Sequence, residues 1–149
     1  MKPTTTWIVI ADGAHARLFA NRGPGKGIEA VENGVINGDH RPDHELIRDK
    51  AGRSFESIGD TRHAIEPRTD PHRELKKEFA KELVSLLDKR LSEHAFDRLI
   101  LVAPPTALGD LRSALSDDLK PRVYAELDKD LVKIPTTELP KHLGAVLAV

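Results

Sequence analysis

The sequence predicts an α/β fold built on a single mixed β-sheet, and three features of its apolar pattern support that prediction. Residues 7–11 and 98–103 are continuous apolar runs, as in strands that are buried on both faces of a sheet. Two segments that begin at residues 71 and 106 place apolar residues at three- and four-residue intervals, which is typical of amphipathic helices. Each helix is followed by a strand-like run, and parallel strands need such a helical connection.

The N-terminal part is predicted to form three strands joined by tight turns. Residues 7–11 make the first strand, which ends at the turn dipeptide 12–13. Residues 15–20 alternate between two faces and should return antiparallel to the first strand. The glycine-rich stretch 22–27 lacks the Walker spacing of a phosphate-binding loop, and strand-like runs flank it. We therefore expect a hairpin turn there, followed by a weaker third strand over residues 28–36.

The first helix is predicted over residues 71–94. Asp70 is a favourable N-cap, and Pro71 suits the first helical position because no backbone N–H is needed there. Charged residues lie mostly on the side of the helix opposite to its apolar face. The apolar face consists of Leu75, Phe79, Leu83, Leu86, Leu87 and Leu91.

The C-terminal part alternates strands with helices. The run 98–103 is the fourth strand, and leucines in helical register predict a second helix over residues 106–119. The stretch 123–127 alternates as a fifth strand. A closing helix is expected over residues 137–147, capped by one of the threonines at 136–137.

These elements predict a sheet of strand order 3-2-1-4-5. Parallel strands need crossover helices, so strands 1, 4 and 5 should run parallel, while strands 2 and 3 fold back as hairpins. The result is a ribonuclease H-like mixed five-stranded sheet, with about three helices and a long loop before the first helix. Its core should contain the aromatic residues Trp7, Phe19, Phe79 and Phe96.

Composition indicates one domain over residues 1–149 and a cytoplasmic location. With 39% hydrophobic and 32% charged residues, the chain can build one core. It has 23 basic and 24 acidic residues, so bulk charge neither implies nor excludes nucleic acid binding. The absence of cysteine excludes disulfides and thiolate chemistry. The apolar run near the N-terminus is shorter than an export signal, and no stretch approaches the roughly 20 apolar residues of a membrane span, so we expect no membrane insertion.

The segment before the first helix is the candidate functional region. Residues 37–69 show no sustained helical or strand period, and long connections of this kind in compact domains are usually functional or disordered. Within it, residues 52–72 are rich in arginine, histidine and carboxylates. Guanidinium groups bind phosphates, and histidine can contact RNA or take part in metal-independent RNA cleavage. A surface loop held by internal ion pairs is the simpler alternative.

Side chains of this loop can be assigned to two roles. The expected ligand-binding residues are Arg53, Ser54, Glu56, Arg62, His63, Arg68 and Asp70. The weaker candidates for acid–base chemistry are His63, His72 and Glu66. In the second role an imidazole transfers a proton or binds a ribose, and a glutamate orients the ring. The residue types alone leave open whether the loop is catalytic.

Two metal-dependent alternatives are disfavoured by the sequence. The stretch 40–44 holds two histidines and a carboxylate but lacks the third, distant ligand of a strong metal motif. A two-metal nuclease needs carboxylates clustered at strand ends, for which Asp12, Asp128 and Asp130 are the candidates. However, the fifth strand lies two positions from the first in the predicted sheet. We therefore expect no metal and no cofactor.

Five stretches that span nearly the whole chain carry a resemblance to a known family: WIVIADGAHARLF at 7–19, GRSF at 52–55, EPRTDPHRELKKEFAKEL at 66–83, FDRLILVAPPTALGDLR at 96–112 and AELDKDL at 125–131. They resemble the bacterial host attachment protein family, described as required for attachment to host cells. That family is similar to the middle domain of archaeo-eukaryotic peptide-chain release factors, in which a Gly-Gly-Gln loop precedes a long helix. The tripeptide is absent here, since Gly52 is followed by Arg53.

Together with the chemistry of the loop, the resemblance implies a non-enzymatic module that contacts ribosome-associated RNA or tRNA through residues 52–72. Two alternatives stay open. One is a protein-interaction or regulatory factor that affects host-cell attachment indirectly through a protein partner. The other is an RNA or peptidyl-tRNA hydrolase that lacks the Gly-Gly-Gln motif. The apolar tail 143–149 could pack within the chain or against a second copy, so a homo-oligomer is also open.

Overall fold

The computed structural model describes residues 3–38 and 71–148, and their strands and helices follow one another in the predicted order. The strands are β1 (Thr6–Ala11), β2 (His15–Asn21), β3 (Glu29–Asn37), β4 (Arg98–Ala103) and β5 (Val123–Asp128). The α-helices of these two ranges are α1 (Pro71–Ser92), α2 (Pro105–Ala114) and α3 (Leu139–Leu143). Short 3-10 turns, Lys120–Arg122 and Thr136–Glu138, precede β5 and α3.

The five strands form one mixed sheet of order β3-β2-β1-β4-β5, which confirms the predicted topology. β2 runs antiparallel to both β1 and β3, whereas β1, β4 and β5 are parallel. In the centre of the sheet, Ile8 lies opposite Phe19 on one side and Ile100 on the other. Because β1, β4 and β5 run the same way, they end on the same side of the sheet, at Ala11, Ala103 and Asp128. We call this side the carboxyl edge.

Apolar layers cover both faces of the sheet. Alternate residues of the central strands contribute to one face, where α1 and α2 pack; this cluster includes Val9, Leu101 and Leu83. The intervening strand residues face a second cluster, built with the segment after β5 and with α3. Burial on both faces explains why β1 and β4 are continuous apolar runs. The aromatic residues expected in the core, Trp7, Phe19, Phe79 and Phe96, are all buried.

Helix α2 is shorter than the predicted range of 106–119. It starts at Pro105, ends at Ala114, and is closed by the backbone N–H of Leu115, which donates to carbonyls of the last turn. Leu119 is nevertheless fully buried. Leu119 therefore fits the helical spacing of the preceding leucines because it is a core residue, although the chain is no longer α-helical at this position.

The closing helix predicted over 137–147 is also wrong in its length and its cap. Only Leu139–Leu143 is α-helical, and no side chain caps its start. The Thr136 hydroxyl instead accepts a hydrogen bond of 3.0 Å from Nη2 of Arg17. Leu143 and Leu147 are buried in the second apolar cluster, so the described part of the tail packs within the chain.

Helix α1 spans 22 residues and ends at Ser92, two residues before the predicted end. His94 has a left-handed backbone conformation with φ of 60°, and its N–H donates to the carbonyl of Leu91. The N–H of Ala95 donates to the carbonyl of Arg90, which completes a Schellman motif. In the ranges 3–38 and 71–148, neither α1 nor any other helix combines the length and the apolar content that a membrane crossing requires.

Candidate functional site at the carboxyl edge

A cavity of about 310 Å³ lies at the carboxyl edge, between the ends of β1 and β4. From β1 the chain turns back into β2, in the direction of the outer strand β3. From β4 it continues through α2 to β5, the outer strand on the opposite side. The cavity therefore lies outside the carboxyl ends of two neighbouring parallel strands, which is where α/β sheets usually bind ligands. The cavity is lined by Asp12, Gly13, Ala14, His15, Lys76, Pro104, Thr106, Ala107 and Asp110.

The turn between β1 and β2 forms one wall of the cavity and is organised by Asp12. Its Oδ1 accepts hydrogen bonds from the backbone N–H groups of Ala14, at 2.8 Å, and His15, at 2.7 Å. The same oxygen lies 3.2 Å from Nδ1 of the His15 ring. This geometry confirms the tight turn predicted after the first strand. It also engages the Asp12 carboxylate with groups of its own turn.

Lys76 of α1 lies across this turn at Gly13. A Cβ atom added to Gly13 would lie 2.7 Å from Cγ and 2.8 Å from Cδ of Lys76, so the aliphatic stem lies directly against the glycine. Only a residue without a side chain leaves room for this packing. Lys76 is exposed and forms no ion pair with another residue of the described ranges. Its ammonium group is thus a cation at the cavity whose charge is not neutralised by these residues.

A bidentate ion pair joins the first turn of α1 to α2 beside the cavity. Nη1 of Arg73 donates to Oδ2 of Asp110 at 2.6 Å, and Nη2 donates to Oδ1. The hydrogen bonds to Asp110 raise the pKa of Arg73 above its ordinary value. Two parallel bonds of this kind fix orientation as well as distance. The pair therefore fixes where the chain enters α1 relative to the cavity.

Most of the predicted site residues lie outside the described ranges. They are Arg53, Ser54, Glu56, Arg62, His63, Glu66, Arg68 and Asp70. The predicted N-cap of the first helix, Asp70, and the stretch 40–44 are therefore also outside the described ranges. Of the predicted site residues, His72 alone is described, and it is partly buried at the second position of α1.

Both chain ends that border residues 39–70 lie at the carboxyl edge. On one side, the backbone N–H of Gly38 donates to the carbonyl of Ala14 at 2.7 Å, and a Cβ on Gly38 would lie 2.9 Å from Cδ1 of Phe79 in α1. On the other side, α1 begins at Pro71 and is held by Arg73. The sheet and α1 thus fix the points between which the candidate segment runs.

The described residues give no support to the two-metal nuclease alternative. Within 3–38 and 71–148, no group of three or more histidine, aspartate or glutamate residues is placed to hold a metal ion. The Oδ1 atom of Asp12 accepts hydrogen bonds from backbone N–H groups of its own turn. Asp128 ends β5, which β4 separates from β1.

Sequence reasoning missed two features of the surface. Lys76 was not distinguished from the other lysines of α1, because its position on the polar face resembles theirs; the signal that separates it is the glycine at position 13. Tyr124, at the opposite side of the sheet, is 54% exposed, and the guanidinium carbon of Arg98 lies 3.8 Å from the centre of its ring. This stacking depends on the pairing of β4 with β5 and has no local sequence signal.

Comparisons with known proteins identify the family. The family model described as "Protein required for attachment to host cells" matches residues 7–143. No curated protein matches the chain. Among solved structures, an archaeal translation termination factor, aRF1, is similar with a TM-score of 0.44 and 12% identity; the match covers 95% of this chain and 38% of that one. Because the family match runs from β1 into α3, the chain belongs to the host attachment protein family.

Proposed function

We propose that this protein is a cytoplasmic binding module for structured RNA of the translation apparatus, and that residues 52–72 are its contact segment. One observation carries the proposal: both chain ends that border residues 39–70 are anchored at the carboxyl edge, by Gly38 on Ala14 and by Arg73 on Asp110. Contact residues are often carried by connecting segments that a rigid scaffold positions. The carboxyl edge provides such a scaffold here.

The chemistry of the segment supports a phosphate-bearing ligand. Arg53, Arg62 and Arg68 are proposed to contact phosphates, because guanidinium groups form paired hydrogen bonds with phosphate oxygens. His63 or His72 is proposed to bind a ribose hydroxyl, with Glu56 or Glu66 orienting the imidazole. Ser54 and Asp70 complete the proposed contact set.

We propose that RNA is recognised through individual side chains, because the net charge of the chain provides no long-range attraction for a polyanion. The formal net charge is −1 at pH 7, and acidic residues are interspersed among the arginines of the segment. A compact, structured RNA can place phosphates next to individual guanidinium groups, whereas long-range attraction needs a large positive field. Binding should therefore depend on particular arginines and not on total charge. An effect on translation would link such binding to the attachment role that the family description names.

The proposal is tested by measuring the affinity for a fluorescently labelled tRNA across a series of salt concentrations. For Arg53→Ala and Arg62→Ala, we expect weaker binding at low salt. The slope of log affinity against log salt should become shallower by about one for each phosphate contact that is lost. Fluorescence anisotropy gives both quantities.

Lys120→Ala is the matched control. Lys120 is exposed in the turn that precedes β5, on the side of the sheet opposite to the carboxyl edge. Its replacement by alanine removes one positive charge, as the two arginine substitutions do. It should leave both the affinity and the slope unchanged. If the two arginine variants bind tRNA as wild type does at low salt, or if Lys120→Ala weakens binding equally, the segment is not the contact surface.

A further inference from the structure

We propose that the carboxyl-edge cavity binds one phosphate ester of about nucleotide size, with Lys76 contacting its phosphate. This site consists of described residues and shares no residue with the contact set proposed for residues 52–72. The phosphate could belong to a free nucleotide or to one nucleotide of a bound RNA. The chemistry of recognition is the same in both cases, and the experiment below distinguishes them.

The position and size of the cavity suit a small ligand. Its volume of about 310 Å³ lies at the lower end of the range of roughly 300–1,000 Å³ that is usual for small-molecule sites. It lies outside the carboxyl ends of β1 and β4, as described above. Gly13, Ala14, Pro104 and Ala107 give it an apolar lining, against which a sugar or a base can pack.

Lys76 supplies the charge for a phosphate. Its stem packs on Gly13, which limits the positions open to the long side chain and lowers the entropy lost when the ammonium binds an anion. The ammonium group has no ion-pair partner within the described ranges. The Thr106 hydroxyl, on the facing wall, can donate a hydrogen bond to a phosphate or sugar oxygen.

The two carboxylates at the cavity do not oppose an anion as strongly as their charges suggest. Both oxygens of Asp110 accept hydrogen bonds from the Arg73 guanidinium, which neutralises that charge locally. Oδ1 of Asp12 accepts two backbone N–H groups and lies beside the His15 ring. With Asp12 and Asp110 engaged in this way, Lys76 is the charged group of the described lining that remains available to a ligand.

The test is an NMR titration of the ¹⁵N-labelled full-length chain with AMP, and with adenosine as the comparison without phosphate. AMP should produce saturable shifts of the amide signals of Gly13, Ala14, Thr106 and Ala107. Adenosine should bind at least about tenfold more weakly, since a charge-assisted hydrogen bond is lost. The inference is wrong if AMP leaves these signals in place, or if adenosine binds as well as AMP.

Substitutions identify the contact. Lys76→Met keeps the stem and removes the charge, and it should weaken AMP binding about tenfold or more. Lys81→Met is the matched control, because Lys81 is exposed on the same helix but does not line the cavity. An equal affinity of Lys76→Met and wild type would overturn the role of Lys76.

Gly13→Ala provides a second variant that keeps Lys76. The added Cβ must displace the lysine stem, so binding of AMP should again weaken. Combining Gly13→Ala with Lys76→Met should cause little further loss, since both changes act on one contact. Losses that simply add would show that Gly13 acts independently of Lys76, which contradicts the proposed packing.

The outcomes also separate this inference from the proposed RNA function. AMP binding that depends on Lys76, without any binding of tRNA, supports the cavity and removes the RNA proposal. Binding of tRNA that depends on Arg53 and Arg62 but not on Lys76, without binding of AMP, does the reverse. If tRNA competes with AMP and both depend on Lys76, the phosphate in the cavity belongs to one nucleotide of the RNA.

Discussion

Arg17 shows how a single charged side chain can hold part of the fold in place. From β2, its Nη1 donates to the carbonyls of Val132, at 2.9 Å, and Ile134, at 2.7 Å, and its Nη2 donates to the Thr136 hydroxyl. Partial burial lowers the pKa of Arg17 below its ordinary value. These bonds fix the segment after β5 over the second face of the sheet, next to the apolar cluster that contains Leu139.

Replacing Arg17 should therefore destabilise the fold. For Arg17→Met, we expect the free energy of unfolding to fall by about 2 kcal/mol, because several hydrogen bonds to partly buried carbonyls are lost while the apolar stem is kept. Arg22→Met is the control: Arg22 pairs with Glu29 where both side chains are more than half exposed, and such pairs contribute roughly 0–1 kcal/mol. Urea unfolding of both variants measures the difference. Equal losses would mean that Arg17 does not hold this segment.

Individual residues also mark a limit of prediction from sequence. A lysine on the polar face of a helix has the same local pattern whether it points to solvent or to a cavity, so Lys76 could not be selected. Its role depends on a close approach to Gly13, which is 63 positions away in the chain. For the same reason, the use of Thr136 by Arg17 could not be foreseen, and the threonine was assigned to a helix cap.

At the scale of elements, the strands, the order of the sheet and the start of α1 were predictable, while the C-terminal ends of the helices were not. β1 and β4 are buried on both faces, and that burial leaves a continuous apolar run in the sequence. The ends of α2 and α3 have no such mark. Leu119 keeps the helical spacing because the core requires an apolar residue there, although α2 ends at Ala114.

The ion pair between Arg73 and Asp110 joins α1 to α2 at the carboxyl edge, and we expect it to hold the start of α1 in place. Asp110→Asn removes the charge that pairs with Arg73 and weakens the bidentate contact. We expect faster amide hydrogen exchange in the first turns of α1, at residues 73–77, because the start of the helix loses its attachment. Hydrogen exchange followed by NMR resolves these amides.

The control for this joint is Glu126→Gln, which removes the pair between Arg112 and Glu126 at the far side of α2. It should leave the exchange of residues 73–77 unchanged. If both variants, or neither, increase the exchange at the start of α1, the Arg73 pair is not what holds this end of the helix.

At the scale of the molecule, the sheet and its two apolar layers form a stable platform, and the carboxyl edge carries the candidate binding residues. Within the described ranges, strand residues pack with α1 and α2 on one face and with α3 on the other, and every residue of β1 is buried between these layers. The stability of the fold should therefore depend on the layers, whereas ligand binding should depend on residues held at the edge. We therefore expect stability and ligand binding to be changed by different substitutions.

The most direct measurement replaces residues 52–69 by a Gly/Ser linker of equal length and records both thermal unfolding and affinity for labelled tRNA. We predict an unfolding midpoint close to that of the wild type, because the core residues of the described ranges are unchanged, and loss of tRNA binding, because the proposed phosphate contacts are removed. Retained tRNA binding in a folded variant would contradict the central claim that this segment is the contact surface, and a variant that cannot fold would contradict the independence of the platform.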